Sequence, residues 1–233
     1  ALAWAYEGGG VDGTGDNGST IVLTSSVDGA RAGSATVALG VWNHDIGLTE
    51  AVHNVTAVAT DVAGNSSAAS GALALTIDKT APAVPGALNL ADADDSGSSN
   101  SDDITNIDTA LTIDGTGDNG TVVVLTSSVD GSRAGSATVA GGVWNHDIGL
   151  SEATHNVTAV ATDPAGNSSA ASGALAITID KTAPAAPTTL NLADADDTGS
   201  SNSDDLTNLG AGLTIDGIGE NSATVVLTSS VDG

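Results

Sequence analysis

The residues with the clearest chemical potential form one acidic stretch, Asp92-Ala-Asp94-Asp95-Ser96-Gly97-Ser98-Ser99-Asn100-Ser101-Asp102-Asp103. Counted from Asp92, oxygen donors stand at positions 1, 3 and 5 (Asp92, Asp94, Ser96), with Gly97 at 6, Asn100 at 9 and Asp103 at 12. That is close to the spacing at which alternate side chains converge on calcium, with glycine permitting the sharp turn. Aspartate replaces the usual glutamate at position 12, and strand-like sequence flanks the loop, so an EF-hand is not expected. The pattern returns as Asp194, Asp196, Thr198, Gly199, Asn202 and Asp205. Hard oxygen donors without a neighbouring Cys or His favour Ca2+ over zinc or copper. The expected ligands are Asp92, Asp94, Asp95, Ser96, Asp102 and Asp103, then Asp194, Asp196, Asp197, Asp204 and Asp205. The five aspartates of one loop repel each other without a cation. A solvated acidic loop that only aids solubility is the competing reading.

Catalytic constellations are weak by comparison. Asn43-His44-Asp45 and Asn145-His146-Asp147 place His beside Asp, but adjacent strand residues point to opposite faces and make no dyad. Serine is abundant without a G-x-S-x-G elbow, and no enzyme activity is expected. His155, at the start of an apolar segment, reads as a polar edge residue rather than a metal ligand.

Composition narrows the setting. Lys and Arg number 4 against 29 Asp and Glu, a formal charge of -25. No basic face can form, which argues against nucleic-acid binding. With no Cys, disulfides and thiolate metal sites are excluded. No apolar run approaches the ~20 residues that a spanning helix needs, so this segment should not insert in a membrane. Residues 1–10 have no basic stretch, so no signal peptide is expected within them.

The positioning elements follow from an internal repeat. TAPAVPGALNLADADDSGSSNSDDITN from Thr80 returns as TAPAAPTTLNLADADDTGSSNSDDLTN from Thr182, an offset of 182 − 80 = 102 residues. Residues 11–79 and 113–181 differ at only ten positions. Residues 80–181 therefore form a complete unit. Residues 11–79 lack its first strand and acidic loop, 182–233 are the N-terminal half of another, and 1–10 are a non-repeat edge segment. Strand signals separated by Gly, Asp, Asn and Ser fall at Leu88–Leu90, Leu111–Ile113, Thr121–Thr126, Ala137–Val139, Val143–Asn145, His155–Thr162 and Ala174–Ile179. Seven strands in about 100 residues suggest an all-β immunoglobulin-like sandwich, here in tandem and joined end to end. Val122 is Thr at both equivalent positions, whereas Val123 stays apolar, which turns Val123 and Leu125 inward. Trp144 is expected at the core, with Ala159 and Ala161 leaving it space.

A second donor set lies at the unit ends. Asp78 and Asp180 close the last strand at the T-I-D-K-T-A-P linker, while Asp61 with Asn65 and Asp163 with Asn167 sit in D-x-A-G-N turns. In a sandwich the acidic loop lies at the exit end, and the D-x-A-G-N turn lies at the entry end. End-to-end stacking would gather loop, linker Asp and the next unit's turn, where calcium could fix the joint. The linker prolines, Pro82 with Pro85 and Pro184 with Pro187, restrict it further.

The linker and acidic-loop sequence, together with GGVWN and HNVTAVATDPAGNSSAASGALAITIDKTAP, resembles the bacterial Ig-like repeats of giant secreted adhesins. These are biofilm-associated and RTX-type adhesins of Gram-negative bacteria. The resemblance covers residues 11–233. It implies a calcium-stiffened spacer at the cell surface that projects a distal adhesive domain, exported by type 1 secretion. Its interdomain calcium positions would fall on the acidic loop, the linker Asp and the D-x-A-G-N turn. The expected partners are neighbouring repeats of the chain. Two alternatives remain: a self-assembling filament or sheath completed by strands of other copies, and a calcium-dependent glycan-binding module, which would need an exposed aromatic platform.

Overall fold

The computed structural model describes residues 4–5 and 10–231. The remainder of the N-terminal edge segment, residues 1–3 and 6–9, lies outside the described residues. The described chain is all-β, and it has no helix long and apolar enough to cross a membrane. It divides into two compact units, Ala1–Ile179 and Asp180–Gly233.

The larger unit contains two sandwiches. In the first, β1 (Trp4–Ala5), β2 (Val11–Thr14) and β6 (Val41–His44) form one sheet in the order β1-β2-β6. The opposing sheet runs β4-β3-β7-β8, from β3 (Thr20–Ser25), β4 (Gly29–Ala30), β7 (Ala51–Thr60) and β8 (Leu73–Ile77), with β5 (Ala35–Thr36) also on β3. The second sandwich repeats this plan. β9 (Gly86–Leu90), β11 (Leu111–Thr116) and β15 (Val143–Ile148) are ordered β15-β11-β9. Facing them, β10 (Ile104–Thr105), β17 (Leu175–Ile179), β16 (Thr154–Thr162), β12 (Val122–Ser127) and β13 (Gly131–Ser132) run β10-β17-β16-β12-β13, with β14 (Ala137–Thr138) on β12.

All seven strand segments read from the sequence overlap observed strands. Two short strands, β10 and β13, lie outside those segments, because Ile104–Thr105 and Gly131–Ser132 carry no alternating apolar pattern. The first sandwich also has its edge place filled. Ala5 pairs with Asp12 as Asn89 pairs with Asp114, one repeat later. Non-repeat sequence thus occupies the position of the unit's first strand.

Period-two alternation sets the core. Val123 and Leu125 are buried and Val122 is 39% exposed, as the repeat comparison predicts. From the other strands Leu111, Ile113, Val157, Ala159, Ala161, Ile177 and Ile179 belong to the same cluster. Trp144 joins them, 5% exposed. The room for its indole comes first from Gly115, directly across the strand pair, where a Cβ would lie 2.3 Å from the indole Cζ2. The smaller unit pairs β18 (Thr188–Leu192) with β19 (Ile215–Ile218). Here Ile215, Val225 and Leu227, whose counterparts in the second sandwich are fully buried, are 41%, 50% and 54% exposed.

Candidate functional site

The acidic loop begins where β9 ends. Backbone N–H groups of Asp94 and Asp95 both donate to the Ala91 carbonyl, at 2.8 and 3.1 Å, which makes a tight turn. That turn drives Asp95 inward. Its carboxylate is buried (5% exposed), and Oδ2 accepts the N–H groups of Asp102 and Asp103 at 3.0 and 3.1 Å. Oδ1 is equally sealed and meets no hydrogen-bond donor. The second copy reproduces this arrangement: Asp197 is 6% exposed, Oδ2 accepts from Asp204 and Asp205 N–H at 3.2 Å each, and Oδ1 is unpartnered.

The centre of the loop is therefore Asp95, at the fourth position, rather than the 1-3-5 series suggested by spacing. Asp94 Oδ2 instead accepts Thr112 N–H at 2.8 Å, and Ser96 Oγ donates to Asn106 Oδ1 at 2.9 Å while accepting Asn106 N–H at 3.0 Å. Their counterparts do likewise: Asp196 Oδ2 accepts Thr214 N–H at 2.8 Å, and Thr198 Oγ1 donates to Asn208 Oδ1 at 2.9 Å. Asp92, Asp102, Asp194 and Asp204 are exposed. Asp103 is half-buried in the left-handed region, φ 57°, and Asp205 shares that conformation at φ 58°. Partial burial, then the nearby Asp95 and Asp102 charges, hold the Asp103 carboxyl above its ordinary value.

These residues fit a hard cation in their chemistry. The donors are carboxylate oxygens, one buried oxygen lacks a donor, and a neighbouring carboxyl suffers like-charge repulsion. Among the described residues, however, no group of three or more Asp, Glu or His side chains is placed to share a metal ion. The loop brings its donors near one another without closing a cage in this conformation. Its exit, β10, lies parallel to β17 (Ile104 with Thr178, Thr105 with Ile179), so the acidic loop sits at the exit end of its sandwich.

At the joint between the two sandwiches, the Asn167 side chain donates to the Asp78 carbonyl at 3.1 Å. Thr80 Oγ1 donates to Glu50 Oε1, and Ala83 N–H donates to Asp118 Oδ2 at 2.7 Å. Linker Asp78 and the next unit's turn thus meet, as topology predicts. Asp78 and Asp180 are exposed, and each carboxylate accepts an N–H two residues on, from Thr80 and Thr182, at 3.0 Å. In the turns themselves, Asp61 binds Asn65 and Asp163 binds Asn167 through both backbone and side-chain amides. Those bonds, the Asn side chain foremost, hold Asp61 and Asp163 below the ordinary aspartate value.

Sequence reasoning missed a buried Ser–His pair. His155 is fully buried, not an edge residue as expected, and the same holds for His53. His155 Nε2 faces the Ser151 carbonyl at 2.8 Å, and a carbonyl can only accept. The proton is thereby assigned to Nε2, and Nδ1 accepts the Ser127 hydroxyl at 2.8 Å. Asp130 Oδ2 lies 3.7 Å from Nδ1, and the carboxylate holds the 149–153 loop through Ser151, whose N–H donates to Oδ2 at 2.9 Å and whose hydroxyl donates to Oδ1 at 2.7 Å. A serine, a histidine and an aspartate are assembled, but Ser127 is 2% exposed and His155 is sealed. No substrate carbonyl can reach that hydroxyl, so the group is a structural staple. The signal available in sequence was its recurrence as Ser25, Asp28 and His53.

Residues 81–181 match the family model of the bacterial Ig-like domain. The matched segment falls within the complete repeat unit, residues 80–181. Curated proteins yield no match. Among solved structures, fibronectin(III)-like modules of Clostridium thermocellum CbhA align at 18% identity and TM-score 0.41, over 73% of this chain and 84% of that one. A biofilm-associated protein BSP domain aligns at 17% and 0.29, over 76% of this chain and 28% of that one. A Bacteroides ovatus mixed-linkage glucan utilization protein, SGBP-B, in complex with a mixed-linkage heptasaccharide, aligns at 13% and 0.23, over 79% of this chain and 42% of that one.

Proposed function

We propose that this chain is a non-enzymatic structural extender: tandem Ig-like repeats of a bacterial surface adhesin that hold a distal adhesive domain away from the cell. The observation that carries this reading is recurrence with a pinned linker. One sandwich is built twice, down to the buried Ser–His pair, and the linker leaving the first is hydrogen-bonded into the second. A repeated unit whose polar investment lies at its ends suits spacing rather than recognition. The indoles of Trp42 and Trp144, buried at 4% and 5% exposure, give no platform for a sugar.

Calcium completes the proposal. Asp95, Asp102 and Asp103, with Asp92 and Asp94 alongside, would hold one ion, and Asp197 with its neighbours another. A bound cation supplies positive charge where the loop has only negative. The protein places the carboxylates, excludes water from Asp95 and anchors the loop to β17. The setting would be extracellular, with export by type 1 secretion. Small-angle scattering of the full chain tests this, with and without a chelator. Scattering that turns flexible on chelation supports the reading, and profiles that superimpose would sink its calcium arm.

A further inference from the structure

Spacing alone offers Asp163 and Asn167 as metal ligands, but their hydrogen bonds describe a different task. The turn is closed on itself. Asp163 Oδ1 accepts Asn167 N–H at 2.9 Å, Oδ2 accepts the Asn167 side-chain amide at 2.9 Å, and Asp163 N–H donates to the Asn167 carbonyl at 3.0 Å. These bonds fix the amide plane of Asn167. Its nitrogen carries two protons. One serves Asp163, and the other reaches the Asp78 carbonyl, 89 residues upstream in the preceding repeat. That carbonyl is held in turn, since Asp78 Oδ1 accepts Thr80 N–H at 3.0 Å.

The first repeat supplies an internal control. Asp61 and Asn65 make the same turn, with Asn65 N–H and side-chain amide on Asp61 at 2.8 and 2.9 Å. Asn65 is exposed and Asn167 is half-buried. Turn closure is therefore common to both, and among the described residues contact with a linker carbonyl is particular to Asn167. We propose that Asn167 is the latch of the joint between the two sandwiches, acting by donating a hydrogen bond to the linker backbone rather than by ligating a metal. Asp163 is its positioning residue. The proposal rests on the extender reading, because only there does the angle at a joint matter.

The chain has no cysteine, so one introduced in each sandwich of the full chain can carry a spin label uniquely. The inter-label distance distribution is then measured by pulsed electron resonance, in calcium and in EGTA. Wild type is compared with Asn167→Ala, Asn167→Asp and Asn65→Asp. Both Asn167 variants should broaden the distribution, raising the population outside the wild-type peak about fivefold, the scale of one lost net hydrogen bond. The increase should be equal in calcium and EGTA. Asn65→Asp does the same local harm to its own turn and should leave the distribution unchanged. A narrow distribution for Asn167→Asp in calcium would show a carboxylate serving there as ligand and would overturn the proposal. Equal broadening by Asn65→Asp, or none by Asn167→Ala, would do the same. Wild-type melting in EGTA reads the calcium arm of the extender reading separately, so the two can fail independently.

Discussion

At the scale of single residues, Asp95 does two jobs that a substitution can separate. One oxygen accepts two backbone N–H groups, and the other is buried without a donor. Asp95→Ala should lower the stability of its repeat by about 1–3 kcal/mol, the cost of orphaning buried donors, as read by denaturant unfolding. Asp103→Asn separates charge from shape. Without calcium it relieves the repulsion from Asp95 and Asp102 and should raise the melting temperature; with calcium it removes a donor and should lower it. Calorimetry in the two conditions reads that reversal of sign. The pH response is set elsewhere. Asp28 is held below 3.8 chiefly by the Thr49 hydroxyl, Asp130 chiefly by Ser151 N–H, and Asp61 and Asp163 by their Asn partners. A depressed carboxyl contributes stability that is complete above the unfolded value and lost as pH falls through the folded one. Melting temperature should thus fall below about pH 4, with the Asp28→Asn and Asp130→Asn variants showing a shallower fall there. A rise on acidification would contradict the assignment. Sequence showed that the loop is acidic and regular. It could not show that the fourth residue turns inward, because that follows from two N–H groups converging on the Ala91 carbonyl.

At the scale of elements, strand faces were legible because two near-identical copies act as a substitution record. Val122 against Thr20 marked a solvent face, and Val123 against Ile21 a core face. The staple was not legible, because Ser127 and His155 lie 28 residues apart and meet only when β12 pairs with β16. The filling of the edge place by Trp4–Ala5 was equally hidden, since those residues share no pattern with the unit. One difference between copies predicts a stability change. Leu39 and Gly40 form a two-residue hairpin turn with both φ positive, at 56° and 83°, between Ala38 and Val41. The second sandwich has Gly141 and Gly142 there, at 65° and 83°. Such turns favour Gly or Asn, and a branched residue in the left-handed region costs ~1–2 kcal/mol. Leu39→Gly should stabilise the first repeat by about 0.5–1 kcal/mol, and Gly141→Leu should destabilise the second, both measured by chemical unfolding.

At the scale of the whole molecule, the charge of -25 resolves into position. Of the 29 acids, 14 lie in the acidic loops, the linker aspartates and the D-x-A-G-N turns, towards the ends of the repeats. On the proposed reading, the acidic loops and linker aspartates would stand where a cation is needed at a joint, and in a chain without cysteine that ion would take the cross-linking role. Calorimetric melting of the full chain, in calcium and in EGTA, tests that claim most directly. Saturation at 100 times the dissociation constant stabilises by ~2.7 kcal/mol. For a domain of this size that shifts the transition by roughly 10 °C or more. The account predicts such a fall in EGTA, reversed by added calcium and removed when Asp95 and Asp197 are both changed to Asn. Melting curves that superimpose with and without calcium would contradict it.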